Sequence, residues 1–274
     1  MAFILYTING KLLKHGDKLL GREKKASYDP VLENNTWAQI QSGLREGNPM
    51  GWEIGATKTV TLTNGDTYTA RLVDLNKGRY QDTSNTDNVA VFEFVELIKG
   101  TTRAMNATSK TYDRTSSYTA GGWLNSDLRT YMNGSDLLGK FPEDLTSVML
   151  LTKVGSAKYG GSGKSDTTKG GVIIYSDGDK VFVGAQSEFY ASTTTSFYSY
   201  DTERALYAQW DYYKAHNTNA DRVKHQLGSA GGVWYWNRSP HYDSSTIFCY
   251  VSGDGGATST SANNTNGLAP CFAL

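Results

Sequence analysis

From His241 to Leu274 this chain contains no Lys, Glu, Gln, Met or Trp, although all five are used freely before it. These are the residue types that a codon ending in a pyrimidine cannot encode. His, Tyr, Asp, Ser, Thr and Ile, which fill positions 241 to 247, are each reached from an Asn codon by changing only its two adenines. Two readings fit the gap. One is a segment in which unrelated side chains are inserted between fixed residues. The other is the Ser/Thr/Asn/Gly-rich end of a β protein, whose turns and loops have little use for Lys or Glu. Cysteine is scarce as well: Cys249 and Cys271 are the only two. That excludes a disulfide framework and leaves either one bond or two buried thiols. Neither sign of charge is in excess, with 27 basic and 27 acidic side chains. No basic field is therefore available for phosphate backbones, and nucleic acid is excluded as the expected partner. No stretch approaches the roughly 20 apolar residues of a membrane span, so membrane insertion is not expected. The start, Met1 to Tyr6, lacks a basic run and is too short in apolar residues for a signal peptide. The expected product is soluble and made in the cytoplasm.

What is abundant is Gly, with 29 copies, and Tyr, with 18. Tyr suits recognition surfaces because it gives a broad, rigid contact area with one hydrogen-bonding tip. It equally suits a β-rich core, and both uses are expected. The 274 residues are enough for one large or two smaller domains.

Along the chain, Ile8-Asn9-Gly10 between Phe3–Thr7 and Lys11–Leu13 reads as a β-hairpin. Asn34 and Asn35 offer caps for a helix carrying Trp37, Ile40 and Leu44 on one face, ended by Gly47 and Pro49. This opening module, residues 1–50, is too small to stand alone and is expected to dock on the rest of the chain or on a neighbour. Thr59–Thr63 and Thr67–Val73 flank Asn64-Gly65-Asp66, a strong hairpin signal. Val89–Ile98 reads as a central strand. A helix is expected from Trp123 to Gly134, with Leu124, Leu128, Tyr131 and Met132 on one face and Asn125 or Ser126 as cap. Another short helix opens at Pro142. Val148–Val154 and Val181–Gly184 read as buried strands, and Gly155–Gly171 as a mobile surface loop. Helices inserted among antiparallel strands, rather than alternating with them, argue for an α+β fold.

Catalytic and metal chemistry has no foothold in these residues. Gly161-Ser162-Gly163-Lys164-Ser165 ends in Lys-Ser as a phosphate-binding loop does, but the first Gly of that pattern is missing and no buried strand runs into it. His15, His216, His225 and His241 stand far apart, in no zinc or nucleophile spacing. No cofactor, no metal and no catalytic residue is expected.

The C-terminal third is more specific. It contains Trp236-Asn237-Arg238-Ser239, then Phe248-Cys249, then Gly267-Leu268-Ala269-Pro270-Cys271-Phe272. In these motifs the chain resembles the C-type-lectin-fold proteins diversified by retroelements, and their phage and bacterial relatives. The likeness extends to Trp123 and the helix through Arg129, and covers about Trp52 to Leu274. The calcium-and-sugar tripeptides of true C-type lectins are not recognisable, nor are the paired active-site cysteines of the oxidases that share the fold.

The resemblance implies a C-type lectin-like domain over residues 51–274, with antiparallel strands, inserted helices, long loops and a variable segment at 235–266. It implies a scaffold of Trp123, Arg129, Trp236, Arg238, Ser239, Phe248, Pro270 and Phe272. Around that scaffold a ligand surface of Tyr235, His241, Tyr242, Asp243, Ser245, Thr246, Ile247, Tyr250, Ser252 and Asp254 is expected. The implied function is non-catalytic binding of a protein or glycan on a bacterial cell surface, by a virion-associated protein of phage or prophage origin. Residues 1–50 would attach it to the particle or to another copy. A purely structural tail or baseplate role is the alternative.

Overall fold

In a computed structural model the described residues are 27–76, 89–191 and 197–274, together with the backbone of four two-residue strands before residue 20. Thr7–Ile8 pairs antiparallel with Lys11–Leu12, as the hairpin reading requires, and Lys14–His15 pairs with Lys18–Leu19. The Asn9-Gly10 turn itself lies outside the described residues.

The architecture is α+β, with mostly antiparallel sheets and short helices. The first sheet has four antiparallel strands in the order Cys271–Ala273, Val89–Phe94, Thr67–Asn76 and Thr57–Thr61. The Asn64-Gly65 turn forms as the sequence predicts, with Gly65 at φ 87° where a Cβ would strain the backbone. Val89–Phe94 is buried at every position, because both of its faces are covered. On one side Phe92 stacks on Phe272 at 5.4 Å and meets the edge of Trp37 at 5.7 Å. On the other, Glu93 is enclosed by Arg71, Lys224 and the Tyr213 hydroxyl.

The second sheet runs Ala257–Ser261, Ile247–Val251, Tyr235–Pro240, Thr265–Gly267, Thr102–Ala104. Its pairings are antiparallel except that of Tyr235 with Gly267. Tyr235–Pro240 is central and wholly buried.

The helix Trp37–Arg45 is capped by Thr36, not by Asn34 or Asn35: Thr36 and Gln39 bond each other's backbone in a capping box. Asn35 instead ties the preceding loop through Asp29 and Val31. The helix docks through the core itself, since Trp37 also lies 5.6 Å from Phe272. Residue 50 is thus no packing boundary, and Leu32, Trp37, Ile40, Leu44 and Trp52 belong to one hydrophobic cluster with both sheets. Downstream, Asp127–Asn133 is helical with Ser126 accepting from the Arg129 N–H, and Glu143–Thr146 follows Pro142.

Three expectations are corrected. Val148–Val154 is not a strand, because its donors go to different partners: Leu150 N–H to Ala273, Thr152 to Asp179, Val154 to the Ser176 hydroxyl. Val181–Gly184 makes only the bridge from Phe182 to Cys271. The next two carbonyls are taken by Arg238, through its side chain at Val183 and its backbone N–H at Gly184. Finally, the expected loop at 155–171 begins as a buried strand, Gly155–Ala157, paired with Ile173–Tyr175.

Candidate ligand-binding face

The residues that the resemblance names as scaffold are each packed or hydrogen-bonded. Arg238 is fully buried and donates to Gly155 O, Val183 O and the Glu188 carboxylate at 2.7–2.9 Å. A planar guanidinium is suited to pinning irregular backbone in this way. Ser239 accepts from Gln186 N–H and donates to Glu203. Trp236 donates its indole N–H to Arg103 O at 2.7 Å, and Phe248 and Phe272 are core. Pro270 is buried, its carbonyl accepting from Phe94 N–H. Trp123 and Arg129 converge on one acid, Asp179, each at 2.7 Å, and Arg129 also pairs with Asp177.

This frame holds the turn His241–Thr246, which links the second sheet's two central strands. Its backbone is bonded at several points. His241 N–H reaches Ile247 O, Tyr242 N–H reaches Tyr198 O, and Tyr242 O accepts from Gly163 N–H. Ser245 O accepts from Thr119 N–H, and Thr246 O from Ala262 N–H. Gly160 lies so close beneath the turn that a Cβ there would stand 1.7 Å from Ser244 O.

With the backbone tied inward, the side chains face out. Asp243, Ser245 and Thr246 are exposed, and His241, Tyr242 and Ile247 are half-buried. The half-buried rings form a column: Tyr198 stacks on His241 at 5.2 Å, His241 on Tyr242 at 4.9 Å, and Lys164 Nζ sits 4.7 Å from the Tyr242 centroid. The last contact is a cation–π arrangement. The Tyr198 and Tyr242 hydroxyls have no hydrogen-bond partner among the described residues. Partial burial pulls the His241 pKa below the usual imidazole value, with Lys164 acting in the same sense and Asp243 opposing it. The ring is therefore neutral near pH 7. Its Nδ1 accepts from Asp243 N–H at 3.0 Å, which leaves the proton on Nε2.

The remaining expected ligand residues divide. Tyr235 is corrected outright: strand alternation does send it opposite Trp234 and Trp236, but that face is covered. It is fully buried against Phe189, with its hydroxyl donating to Arg222 O. Tyr250 is only 7% exposed, packed under Trp234 and edge-on to Trp236, so it supports the exposed Trp234 and presents little surface of its own. Ser252 and Asp254 lie in the turn at the opposite end of the hairpin. There the Asp254 carboxylate accepts from Ser252 and Gly256 N–H, which holds its pKa low. Because the five strand residues Ile247–Val251 intervene, Thr246 and Ser252 are about 20 Å apart at ~3.3 Å per residue. The expected surface is thus two patches, one around His241–Thr246 and one around Trp234.

Sequence reasoning missed Lys164, Tyr198 and Trp234 as surface partners. Lys164 lies in the Gly-rich segment dismissed as a solvated loop. Tyr198 carried no local signal, since only folding brings it under His241. Cys249 and Cys271 are both free and buried, so the open question of a bond resolves to two thiols. Among the described residues no group of three or more His, Cys, Asp or Glu is placed to hold a metal, and no helix is long and apolar enough to cross a membrane.

Residues 95–274 match the sequence model of a family described as a domain of unknown function (DUF6273). No curated protein and no solved structure matches the chain.

Proposed function

We propose that this chain, which belongs to the DUF6273 family, is a non-catalytic binding protein whose ligand face is the His241–Thr246 turn with Tyr198 and Lys164. The observation that carries this reading is the stacked column Tyr198–His241–Tyr242–Lys164, held by a backbone whose bonds run inward. A surface ordered before the ligand arrives loses little entropy on docking. Aromatic side chains with polar tips are effective recognition elements there. Loop side chains outside the packed frame tolerate exchange, which is what diversification would require.

The fold is taken as C-type lectin-like on the strength of the Trp236–Ser239, Phe248-Cys249 and Gly267–Phe272 motifs together with the α+β architecture. The ligand is a protein or glycan on a bacterial surface. The origin is phage or prophage, with the first 50 residues attaching the protein to a particle. Diversification predicts a near-copy of the 241–266 coding segment in the surrounding DNA, differing mainly at adenines.

The direct test is adsorption of the purified chain to bacterial cells. Tyr242→Ala should weaken it by about 1–2 kcal/mol, the range of a contact anchor, with the melting temperature preserved. Undiminished adsorption sinks this assignment. The competing reading, a tail or baseplate subunit, draws on exposed Val31, Leu151 and Tyr175, which lie outside the turn. Tight self-association of the pure chain would favour it.

A further inference from the structure

The strand Ala257–Ser261 forms one edge of the second sheet, and no strand among the described residues pairs with its outer side. Two bonds that bracket it fix which of its backbone groups face outward. Ser252 N–H reaches Gly256 O, and Ala262 N–H reaches Thr246 O. Between them the register runs without a shift from Ile247↔Ser261 to Val251↔Ala257. Hydrogen-bonded pairs alternate with non-bonded ones in an antiparallel ladder, so Thr258 and Thr260 commit their N–H and C=O groups to Tyr250 and Phe248. Ala257, Ser259 and Ser261 therefore point theirs away from the sheet. Of these outward groups only Ser261 O has a partner among the described residues, the Asn264 N–H at 3.0 Å.

Natural proteins block such edges with a lysine, a proline or a bulge. None of these devices is present here. From Gly255 to Ser261 there is no charged residue and no proline, and the ladder carries no bulge. The five side chains are small and half-buried, so none obstructs a neighbouring strand. The edge also spans the interval between the two turns of the hairpin. Ser261 pairs with Ile247, next to the His241–Thr246 turn, while Ala257 follows the turn that holds Ser252 and Asp254.

We propose that the edge Ala257–Ser261 takes up an extended peptide segment of the bound surface protein as an added strand. This rests on the binding role proposed above and makes the ligand a protein. Outward N–H and C=O groups recur about every 6.8 Å, at ~3.4 Å per residue, which is the repeat of an extended polypeptide. A sugar chain has no such repeat of amide groups. A strand laid along the edge runs from the Thr246 end of the hairpin to the Ser252–Gly256 turn, so one ligand can touch both outlying groups of residues. A second copy of this chain fits less well. Two-fold pairing about Ser259 would engage only these five residues, against roughly 20–30 a side in a stable interface. It would also set Ala257 of one copy on the Ser261 carbonyl that Asn264 already holds.

Amide hydrogen exchange of the dilute full chain, read by NMR, tests whether the edge is open. Ala257 and Ser259 should exchange rapidly, and Thr258 and Thr260 slowly. Protection of Ala257 and Ser259 overturns the proposal; protection that grows with protein concentration gives the edge to a second copy and overturns it too. Adsorption to bacterial cells tests the occupant. Ser259→Pro and Ala257→Pro each remove an outward N–H, a change that an edge strand tolerates. The melting temperature should hold while adsorption falls about tenfold, one decade in Kd. Should Ser259→Pro unfold, Ala257→Pro, at the first strand position, carries the measurement. Cells treated with protease should lose adsorption, and cells oxidised with periodate should keep it. Undiminished adsorption by the folded proline variants, or loss with periodate and not with protease, overturns the proposal. Where Tyr242→Ala weakens adsorption and the proline variants do not, the turn stands as the binding face and only the edge falls. A wild-type chain that adsorbs to no cells sinks both.

Discussion

The rings of Tyr198 and His241 stack 27° from parallel at 5.2 Å, and the Tyr198 carbonyl accepts the N–H of Tyr242 beside them. Two segments far apart in sequence therefore make one surface, and its geometry depends on a neutral imidazole. Protonation would turn Nδ1 into a donor facing the Asp243 N–H, beside the cation of Lys164. The groups around the ring are Tyr198, Tyr242, Lys164 and Asp243, and only the last favours the charged form.

Adsorption through this face should consequently weaken as pH falls below the ordinary imidazole value of about 6.5. The sign for stability is the same. A depressed folded-state pKa gives a contribution that is present above the unfolded value and lost as pH falls through the folded one. His241→Asn keeps an acceptor and removes the titration, so its adsorption measured at pH 5 and pH 7.5 should be alike. A persistent acid loss in that variant would place the titrating group elsewhere.

Glu203 works in the opposite sense. Burial raises its pKa from 4.5 to about 7, against the lowering effects of the Ser239 hydroxyl, Arg238 and the Ala157 N–H. The folded protein holds a proton that the unfolded chain gives up near pH 4.5. This contribution is complete below that pH and is lost as pH rises through 7. At ~1.4 kcal/mol per unit, the effect is on the order of 3 kcal/mol. The melting temperature should fall between pH 5 and pH 8, and Glu203→Gln should flatten that slope.

Arg238 is the member of the frame with the most to lose. Arg238→Met leaves Glu188 buried without its cation and removes the pins on Gly155 and Val183. Breaking a buried pair from one side costs about 3–5 kcal/mol. Adding Glu188→Gln should restore part of that loss in urea unfolding. If the double variant is no more stable than the single one, the lost carbonyl bonds account for the damage.

The family match begins at residue 95, yet the strand Cys271–Ala273 pairs with Val89–Phe94, which precedes it. Trp37 closes over both through Phe92 and Phe272. A fragment of residues 95–274 should therefore fail to unfold cooperatively by circular dichroism, whereas one beginning at residue 27 should. In the whole chain Trp37→Ala should cost about 3–5 kcal/mol, as truncation of a buried aromatic does.

Much of the framework was legible because its signals are local. The Asn64-Gly65 hairpin needs a residue tolerant of positive φ between two alternating runs, and Ser126 with Gly134 brackets the Asp127–Asn133 helix. The strands expected at 148–154 and 181–184 failed for a non-local reason. A strand exists only where a partner continues alongside it, and there the backbone groups are distributed among Asp179, Ser176, Ala273 and Arg238. The helices Gln186–Phe189, Asp201–Leu206 and Asp211–Ala215 have no signature in the sequence pattern. They are too short for a periodic stripe, and tertiary packing stabilises them more than propensity does.

By itself the sequence pointed to an α+β chain, because helices fall among antiparallel strands instead of alternating with them, and its resemblance to the retroelement-diversified lectin-fold proteins named Trp236, Arg238, Phe248 and Phe272 as frame and ten residues as one outward surface. Local pattern is enough for the first statement, while the second rests on the likeness and not on residue type. Only the tertiary structure decided that Tyr235 is core, that Tyr250 supports Trp234, that Ser252 and Asp254 lie at the far end of the hairpin, and that Lys164 and Tyr198 join His241 and Tyr242. Burial of a strand residue depends on what covers its face, and a stack of rings depends on which distant segment the chain returns to that spot. Neither quantity is a property of the residues adjacent in sequence.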